Sequence, residues 1–201
     1  MSIGPHANRQ KERRRGRRRP RRATAEHLRN WALHYLERYA TSSAHLRRLM
    51  QVKLERSRAA HGAEGTAGAS EVEALIGRLK TMGLLDDAAF ARGRARALHR
   101  RGSSARAIRA ALTQKGVEME IVDSALAALL DEAEEPELAA ALAYARRRRL
   151  GPYRADAALR TAMRERDLAA LGRRGFGYEV ARRVIEAPDP EALEALEAEA
   201  G

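Results

Sequence analysis

The chain lacks cysteine, long apolar stretches and a secretory signal, and each absence excludes a class of protein. It has no cysteine, which excludes disulfide frameworks, thiolate metal sites and cysteine nucleophiles and suits a reducing cytoplasm. No apolar stretch approaches the roughly 20 residues that a membrane span needs. The arginine-rich start, residues 1–22, has no apolar region like that of a secretory signal. We therefore expect a soluble, cytoplasmic protein with no membrane contact.

Motifs of catalysis and metal binding are also missing. The stretch GAEGTAG lacks the Gly-Lys-Ser/Thr ending of a phosphate-binding loop, and there is no Gly-x-Ser-x-Gly. The six histidines are scattered without the spacing of a metal site: His6, His27, His34, His45, His61 and His99. The sequence predicts no catalytic residue, no cofactor and no metal.

Apolar residues recur at helical spacing, whereas alternating strand patterns are nearly absent. The clearest amphipathic stripe consists of Leu28, Trp31, Ala32, Tyr35, Leu36 and Tyr39. Similar stripes run over residues 72–82 and 117–129, and shorter ones over 46–50, 108–112 and 176–185. Glycine, proline or serine separates the stripes. The pattern predicts an all-α core of short helices.

Two internal similarities indicate a repeated unit. Residues 38–50 align with 100–112 at an offset of 62, and residues 113–126 align with 172–185 at an offset of 59. We predict three tandem three-helix, helix-turn-helix-like repeats, over residues 25–84, 86–130 and 137–187, that form an elongated curved array without a deep pocket. The flanking segments, a basic arm (1–22) and an acidic tail (188–201), are expected to be disordered.

The formal net charge of +12 is unevenly distributed. Residues 1–22 contain ten Lys/Arg and one Glu, whereas residues 186–201 contain six acidic residues and no Lys or Arg. A basic body and arm favour a polyanion or an acidic protein surface as partner. GC-rich coding DNA alone would also explain the arginines, since 35 of the 39 Lys/Arg residues are Arg and alanine is abundant.

Neighbouring aspartates in the segment GLLDDAAFA raise the question of an acid/base or metal pair. Gly83 can end the preceding helix in a left-handed conformation, and Leu84 and Leu85 would pack in the corner. Asp86 or Asp87 can then cap the next helix. Adjacent side chains on a helix point about 100° apart and cannot easily share a proton or a metal. We interpret the pair as structural.

Basic residues are the candidates for binding. The residues predicted to form one basic face in the second repeat are Arg92, Arg96, Arg100, Arg101, Arg106 and Arg109. Further candidates are Lys115, Arg146, Arg147, Arg148, Arg149, Arg173 and Arg174. The run 146–149 suits a phosphate clamp and equally the solvated last turn of a helix.

These motifs resemble the RecX family of bacterial recombination regulators. The resemblance covers about residues 26–187 and is most specific over 83–117, where GLLDDAAFA is followed by GSSARAIRAALTQKGV. The matching motif positions are Gly83, Leu84, Asp86, Asp87, Phe90 and Gly116. The long loop 61–70 and the charged terminal segments depart from the family pattern.

The resemblance implies a non-enzymatic modulator of DNA repair, recombination and the SOS response. Such a protein would bind RecA filaments and, without sequence specificity, single- and double-stranded DNA, and would restrain RecA's ATPase and strand exchange. A monomer is expected. Two alternatives remain at this point: a helix-turn-helix DNA-binding regulator unrelated to RecA, and an RNA-binding accessory protein that uses its arginine arm.

Overall fold

The computed structural model describes residues 20–132 and 134–200. Most of the predicted basic arm, residues 1–19, lies outside the described residues. Within these ranges the regular structure is helical, with no strand, and no helix is long and apolar enough to span a membrane. The helices are α1 (Ala25–Leu36), α2 (Ser43–His61), α3 (Ala69–Thr81), α4 (Asp87–His99), α5 (Ala105–Gln114), α6 (Met119–Leu130), α7 (Pro136–Arg148), α8 (Ala157–Arg174), α9 (Tyr178–Ile185) and α10 (Pro190–Ala200), with a short 3-10 helix at Gly151–Tyr153.

Short polar side chains fix where several of these helices begin. Thr24, Ser42, Asp86, Ser104 and Asp156 each occupy the N-cap, and each accepts a hydrogen bond from a backbone amide in the first turn. Such a cap satisfies one of the amides that have no partner inside the helix. The helix starts are therefore encoded locally.

Three separate hydrophobic cores follow one another along the chain. The first is built by α1–α3, around Leu46 and Met50; the second by α4–α6, around Ile108 and Leu112; the third mainly by α7–α9, around Leu142. Burial of each such side chain stabilises the fold by about 1.5–3 kcal/mol. The protein thus consists of three tandem three-helix repeats, which we number by these helix triplets.

The boundaries of the repeats, 25–84, 86–130 and 137–187, stay a prediction. Leu85, which lies between the first two ranges, packs in the first core. Its neighbour Leu84, which we expected in the same corner, is 44% exposed. Gly83 adopts a left-handed φ of 70° after α3, and this turn directs Leu85 inward while Leu84 faces solvent.

The C-terminal acidic segment differs from the expected disordered tail. Residues Pro190–Ala200 form α10, whose start is capped by a 2.8 Å hydrogen bond from the Ala192 amide to the Asp189 carboxylate. Leu193 is fully buried in the third core. The prediction of disorder relied on the acidic residues and overlooked the apolar side chain of Leu193 and the cap at Asp189.

Two kinds of hydrogen bond join the first repeat to the second. Ser42, while capping α2, donates from its Oγ to the carbonyl oxygen of Lys115 at the end of α5, at 2.5 Å. The amide of Ser43 donates to Oδ1 of Asp87 in the first turn of α4, at 2.7 Å. We call this contact the first junction.

The second junction, between the second and third repeats, repeats these bonds. Ser104 caps α5 and donates to the carbonyl oxygen of Arg174 at the end of α8, at 2.8 Å. The amide of Ala105 donates to Oε1 of Glu137 in the first turn of α7, at 2.6 Å. The internal similarities of the sequence therefore correspond to a repeated contact between repeats.

Close backbone approach completes each junction. A Cβ atom on Gly116 would lie 2.6 Å from Cβ of Ala44, and one on Gly175 would lie 2.6 Å from Oγ of Ser104. Both distances are far inside van der Waals contact. Glycine at these positions lets the end of one repeat's middle helix press against the start of the previous repeat's middle helix.

Candidate functional site

A strongly basic concave surface lies on the third repeat. It is an open depression of about 540 Å³ beside α7 and α8, which we call the third-repeat cleft. Its charged lining residues are Arg148, Arg154, Arg166, Arg173, Arg174 and Asp167. Five arginines and one aspartate give the lining a formal net charge of +4.

The single carboxylate that lines the cleft, that of Asp167, already accepts hydrogen bonds from within the protein. Asp167 is 1% exposed and accepts two hydrogen bonds from the guanidinium of Arg154, at 2.8 and 2.6 Å, and one from the Gly151 amide at 2.9 Å. Burial raises the pKa of Asp167, but the bonds from Arg154 and Gly151 outweigh it and hold the pKa below its usual value. Asp167 therefore serves as a charged anchor for Arg154 and for the turn after α7.

Three arginines of the cleft remain available to a ligand. Arg148, Arg166 and Arg173 are exposed, and none forms a salt bridge with a carboxylate of the described chain. Guanidinium groups bind phosphate or carboxylate oxygens through paired N–H donors. The cleft thus has the chemistry of a polyanion-binding surface.

An aromatic ring connects this cleft to the second junction. The guanidinium groups of Arg147 and Arg174 both lie 5.8 Å from the centroid of the Tyr144 ring. Arg174 also donates to Oγ of Ser103 in the second repeat, at 2.8 Å. Arg106 lies beside Gly175, since a Cβ atom there would be 3.4 Å from Cβ of Arg106. The basic surface therefore extends from the third repeat across the junction.

The six arginines predicted as one face of the second repeat are in different situations. Arg96 is ion-paired with Glu132, and Arg109 with Asp123, so these two hold α4 and α5 to the region of α6. The other four are exposed and form no salt bridge with a described carboxylate: Arg92, Arg100, Arg101 and Arg106. Of these, the structure brings Arg106 to the second junction.

The four consecutive arginines at the end of α7 also separate. Arg146 lies over the ring of Tyr153 at 5.7 Å, Arg147 contacts Tyr144, and Arg148 lines the third-repeat cleft. Arg149 ends the helix with a left-handed φ of 54°. The run is both the last turn of a helix and, through Arg148, part of the basic cleft.

Sequence reasoning missed two arginines of the cleft, Arg154 and Arg166. A usable signal was present, because Met163, Arg166, Ala170 and Arg173 recur at spacings of three and four and define one face of α8. The pairing of Arg154 with Asp167 joins residues 13 positions apart through a turn. No local pattern reveals that pairing.

A second concave surface has different chemistry. It lies at the first junction, has a volume of about 420 Å³, and we call it the first-junction cleft. Its aromatic lining residues are Tyr35, Tyr39 and Phe90, and its basic ones are His45, Arg94 and Lys115. No carboxylate is among its lining residues in the described chain.

The predicted candidate Lys115 lies in this second cleft, apart from the arginine candidates of the third repeat. Its Nζ is 3.2 Å from Nε2 of His45. Burial, together with the positive charges of Lys115 and Arg48, lowers the pKa of His45. A neutral imidazole accepts the hydrogen bond from the ammonium group, so Lys115 supplies the positive charge of the pair.

Asp86 and Asp87 have separate structural partners. Asp86 caps α4 by accepting from the Ala89 amide at 2.8 Å. Asp87 accepts from the Ser43 amide and pairs with Lys80 at 3.1 Å. In the described residues there is no group of three or more histidines and carboxylates placed to hold a metal. The geometry supports binding of anions and flat apolar groups.

Comparisons with known proteins agree with this architecture. A family model of the second three-helix domain of RecX matches residues 86–126. The chain is 41% identical, over 176 residues, to the regulatory protein RecX of Myxococcus xanthus (strain DK1622), which covers 88% of this chain and 93% of that protein. It is 33% identical over 112 residues to the regulatory protein RecX of Agrobacterium fabrum (strain C58 / ATCC 33970), covering 56% of this chain and 57% of that one.

A solved structure shares the fold. The crystal structure of RecX from Lactobacillus salivarius superposes with a TM-score of 0.53 at 18% sequence identity, covering 81% of this chain and 94% of that one. Likeness at this level of identity concerns the arrangement of the helices alone.

Proposed function

The chain belongs to the RecX family of regulatory proteins, and on that premise we propose that it is a non-enzymatic modulator of the RecA recombinase. In this proposal it binds RecA filaments and DNA in the cytoplasm and restrains RecA's ATPase and strand exchange. The observation that carries the proposal is the third-repeat cleft, with a lining charge of +4 and three arginines that form no salt bridge in the described chain.

Electrostatics support such a partner. A nucleoprotein filament presents phosphates and protein carboxylates at regular intervals, and arginines bind both through charge-assisted hydrogen bonds. The contact would be insensitive to base sequence and weakened by salt. Arg106, at the second junction, would extend the surface beyond one repeat.

The repeated junctions support a partner that is itself repetitive. Both junctions use a serine donor, a backbone carbonyl and an acidic side chain in corresponding places. Successive repeats are thus related by similar contacts, which suits binding along several subunits of a filament. Several weak contacts in series add to a strong overall attachment.

The test is a titration of RecA's ATPase activity on single-stranded DNA with this protein. We expect substoichiometric wild-type protein to slow ATP hydrolysis. The triple variant Arg148→Ala, Arg166→Ala, Arg173→Ala should require at least a severalfold higher concentration for the same effect, since each lost solvent-exposed ion pair weakens binding by about 0.2–1 kcal/mol.

A matched control removes the same charge elsewhere. Arg29, Arg56 and Arg78 are exposed on the first repeat and form no salt bridge with a described carboxylate. Their triple alanine variant should inhibit like wild type. Unchanged ATPase activity with equimolar wild-type protein would overturn the proposed function, whereas equal inhibition by both triple variants would exclude the third-repeat cleft as the contact.

A further inference from the structure

The first-junction cleft is not used by the proposed contact, and its chemistry differs from that of an anion cleft alone. It combines exposed aromatic surface with basic side chains and has no carboxylate in its described lining. We propose that this cleft binds an unpaired base of single-stranded nucleic acid, with the base stacked on Tyr39 and the adjoining phosphate held by Lys115 and Arg94. The proposal rests on the DNA contact in the proposed function and assigns it a second site.

One wall of the cleft is formed by Tyr35 and Tyr39, the last two rings of an aromatic ladder that begins at Trp31. Trp31, Tyr35 and Tyr39 are four residues apart on and just after α1, with ring centroids separated by 5.3 Å and 5.0 Å. Tyr39 is the last ring of the ladder and is 56% exposed. Because Tyr35 packs against it, little side-chain freedom remains for Tyr39 to lose on binding a further ring.

Another wall of the cleft consists of small side chains, which leave space for a flat group. Ala89, Gly93 and Ala97 line the cleft at four-residue spacing on α4, so small residues lie above one another on one face of that helix. No heavy atom would lie within 4 Å of a Cβ atom added to Gly93. Phe90, half-buried against the second core, supplies a further ring at the same wall.

The cleft also contains cations that could hold a phosphate adjoining the base. Lys115 reaches the cleft from the end of α5 and Arg94 from α4, while His45 contacts Lys115 at 3.2 Å. Groove-lining cations together with aromatic platforms are the usual means of holding single strands without sequence preference. A duplex hides its base faces inside the stack, so only an unpaired base can use Tyr39.

An acidic peptide with an aromatic side chain is the competing occupant. The cleft favours nucleic acid because its cations accompany an exposed ring that ends a stack, and each unpaired base offers a flat face with a phosphate beside it. A peptide would need a particular sequence to provide both. The experiment below separates the two.

The test compares two fluorescent oligonucleotides of equal length by anisotropy, one of thymidine nucleotides and one with abasic sites throughout. Their phosphates are identical, so a difference in affinity reports contacts with the base. Wild-type protein should bind the thymidine strand about 10-fold more tightly, within the range measured for stacking of one base. Tyr39→Ala should bind both strands alike, whereas Tyr39→Phe should keep the preference.

Tyr178 provides a matched control, since it is 62% exposed on α9 and lines neither cleft. Tyr178→Ala should retain the preference for the thymidine strand. Equal binding of both strands by wild type, or an undiminished preference in folded Tyr39→Ala, would overturn the stacking site while leaving the DNA contact and RecA inhibition intact. Failure to bind either strand would remove the DNA part of the proposed function as well. Binding of an acidic aromatic peptide that Tyr39→Ala abolishes, without any preference between the strands, would assign the cleft to a peptide and overturn the nucleic-acid proposal.

Discussion

The two junctions use the same hydrogen bonds but leave different spaces beside them. At the second junction Gly102, two residues before the capping Ser104, lies against Tyr144: an added Cβ would be 2.5 Å from the Tyr144 nitrogen. At the first junction the residues at corresponding positions, Ala40 and Arg94, line an open cleft of about 420 Å³. The paired hydrogen bonds therefore hold neighbouring repeats together, and residues beside them decide whether a cleft opens.

The two junctions also differ in the chemistry of their surfaces. Tyr39 in the first repeat corresponds, at the offset of 62, to Arg101 in the second. The first junction consequently presents rings with a few cations, whereas the second adjoins a surface dominated by arginine. The same kinds of junction bond therefore accompany two surfaces of different chemistry.

The largest effect on the free energy of unfolding is expected where Gly102 packs against Tyr144 at the second junction. Gly102 has φ of +74°, and its Cβ position is filled by the Tyr144 backbone. Gly102→Ala should lower the free energy of unfolding by about 3 kcal/mol, from the left-handed conformation and the steric overlap together. Urea denaturation followed by circular dichroism measures this change.

Ala40→Gly is the corresponding control at the first junction. Its effect should stay within about 1 kcal/mol, the usual difference between alanine and glycine. If Gly102→Ala and Ala40→Gly changed stability equally, the close packing at the second junction would be refuted.

The next largest effect concerns the carboxylates that accept an amide across each junction. Asp87 accepts from Ser43 and also pairs with Lys80, whereas Glu137 accepts from Ala105. Asp87→Ala should lower the free energy of unfolding by about 2 kcal/mol and Glu137→Ala by about 1 kcal/mol, since each leaves a junction amide without its acceptor. A larger loss for Glu137→Ala than for Asp87→Ala would contradict this order.

Acid pH provides a second measurement on Asp87. Burial raises the pKa of Asp87, but hydrogen bonding from Ser43 and Lys80 outweighs it, so the folded-state pKa is below the usual value. A carboxyl with a depressed folded-state pKa stabilises the protein fully above its unfolded pKa of about 3.9, and this stabilisation is lost as the pH falls through the folded-state value. Below about pH 4, wild type should therefore lose stability more steeply than Asp87→Asn. Parallel curves would contradict the depressed pKa.

The smallest effect on stability is expected from making the first junction resemble the second. The double variant Ala40→Gly, Arg94→Tyr places in the first-junction cleft the residue types found at Gly102 and Tyr144. Stability should change by less than about 1 kcal/mol, because both positions are at the surface. The preference for thymidine over abasic strands should decrease severalfold, and an unchanged preference would show that these two positions do not control access to Tyr39.

Much of the fold could be predicted because its signals are local. The stripe from Leu28 to Leu36 corresponds to α1, and the stripe at 117–129 corresponds to α6 and its preceding turn. The resemblance around residues 83–117 led to the family that the comparisons show. The helix at Pro190–Ala200 was not predicted, because its anchor, Leu193, lies in a short segment that is rich in acidic residues.

The candidate site was less predictable because charge in a sequence does not show which charges are already paired. Arg96 and Arg109 looked available but bind carboxylates 36 and 14 residues away. Arg166 drew no attention, yet it lines the third-repeat cleft. Whether two charged side chains form an ion pair depends on the distance between their helices. The spacing of residues within one helix does not give that distance.

By itself the sequence determined the short helices and their serine, threonine and aspartate caps, since each depends on residues within a few positions of one another. It also determined the plan of three repeats, through internal similarities at offsets of 62 and 59. Only the tertiary structure decided that Asp87 and Glu137 hold neighbouring repeats together, that Gly102 closes one junction, and that Tyr39 lines an open cleft at the other. These outcomes depend on how closely separate repeats approach. That approach is set by hydrogen bonds between a side chain and a backbone group 32 to 73 positions apart, over which local preferences for helix or turn carry no information.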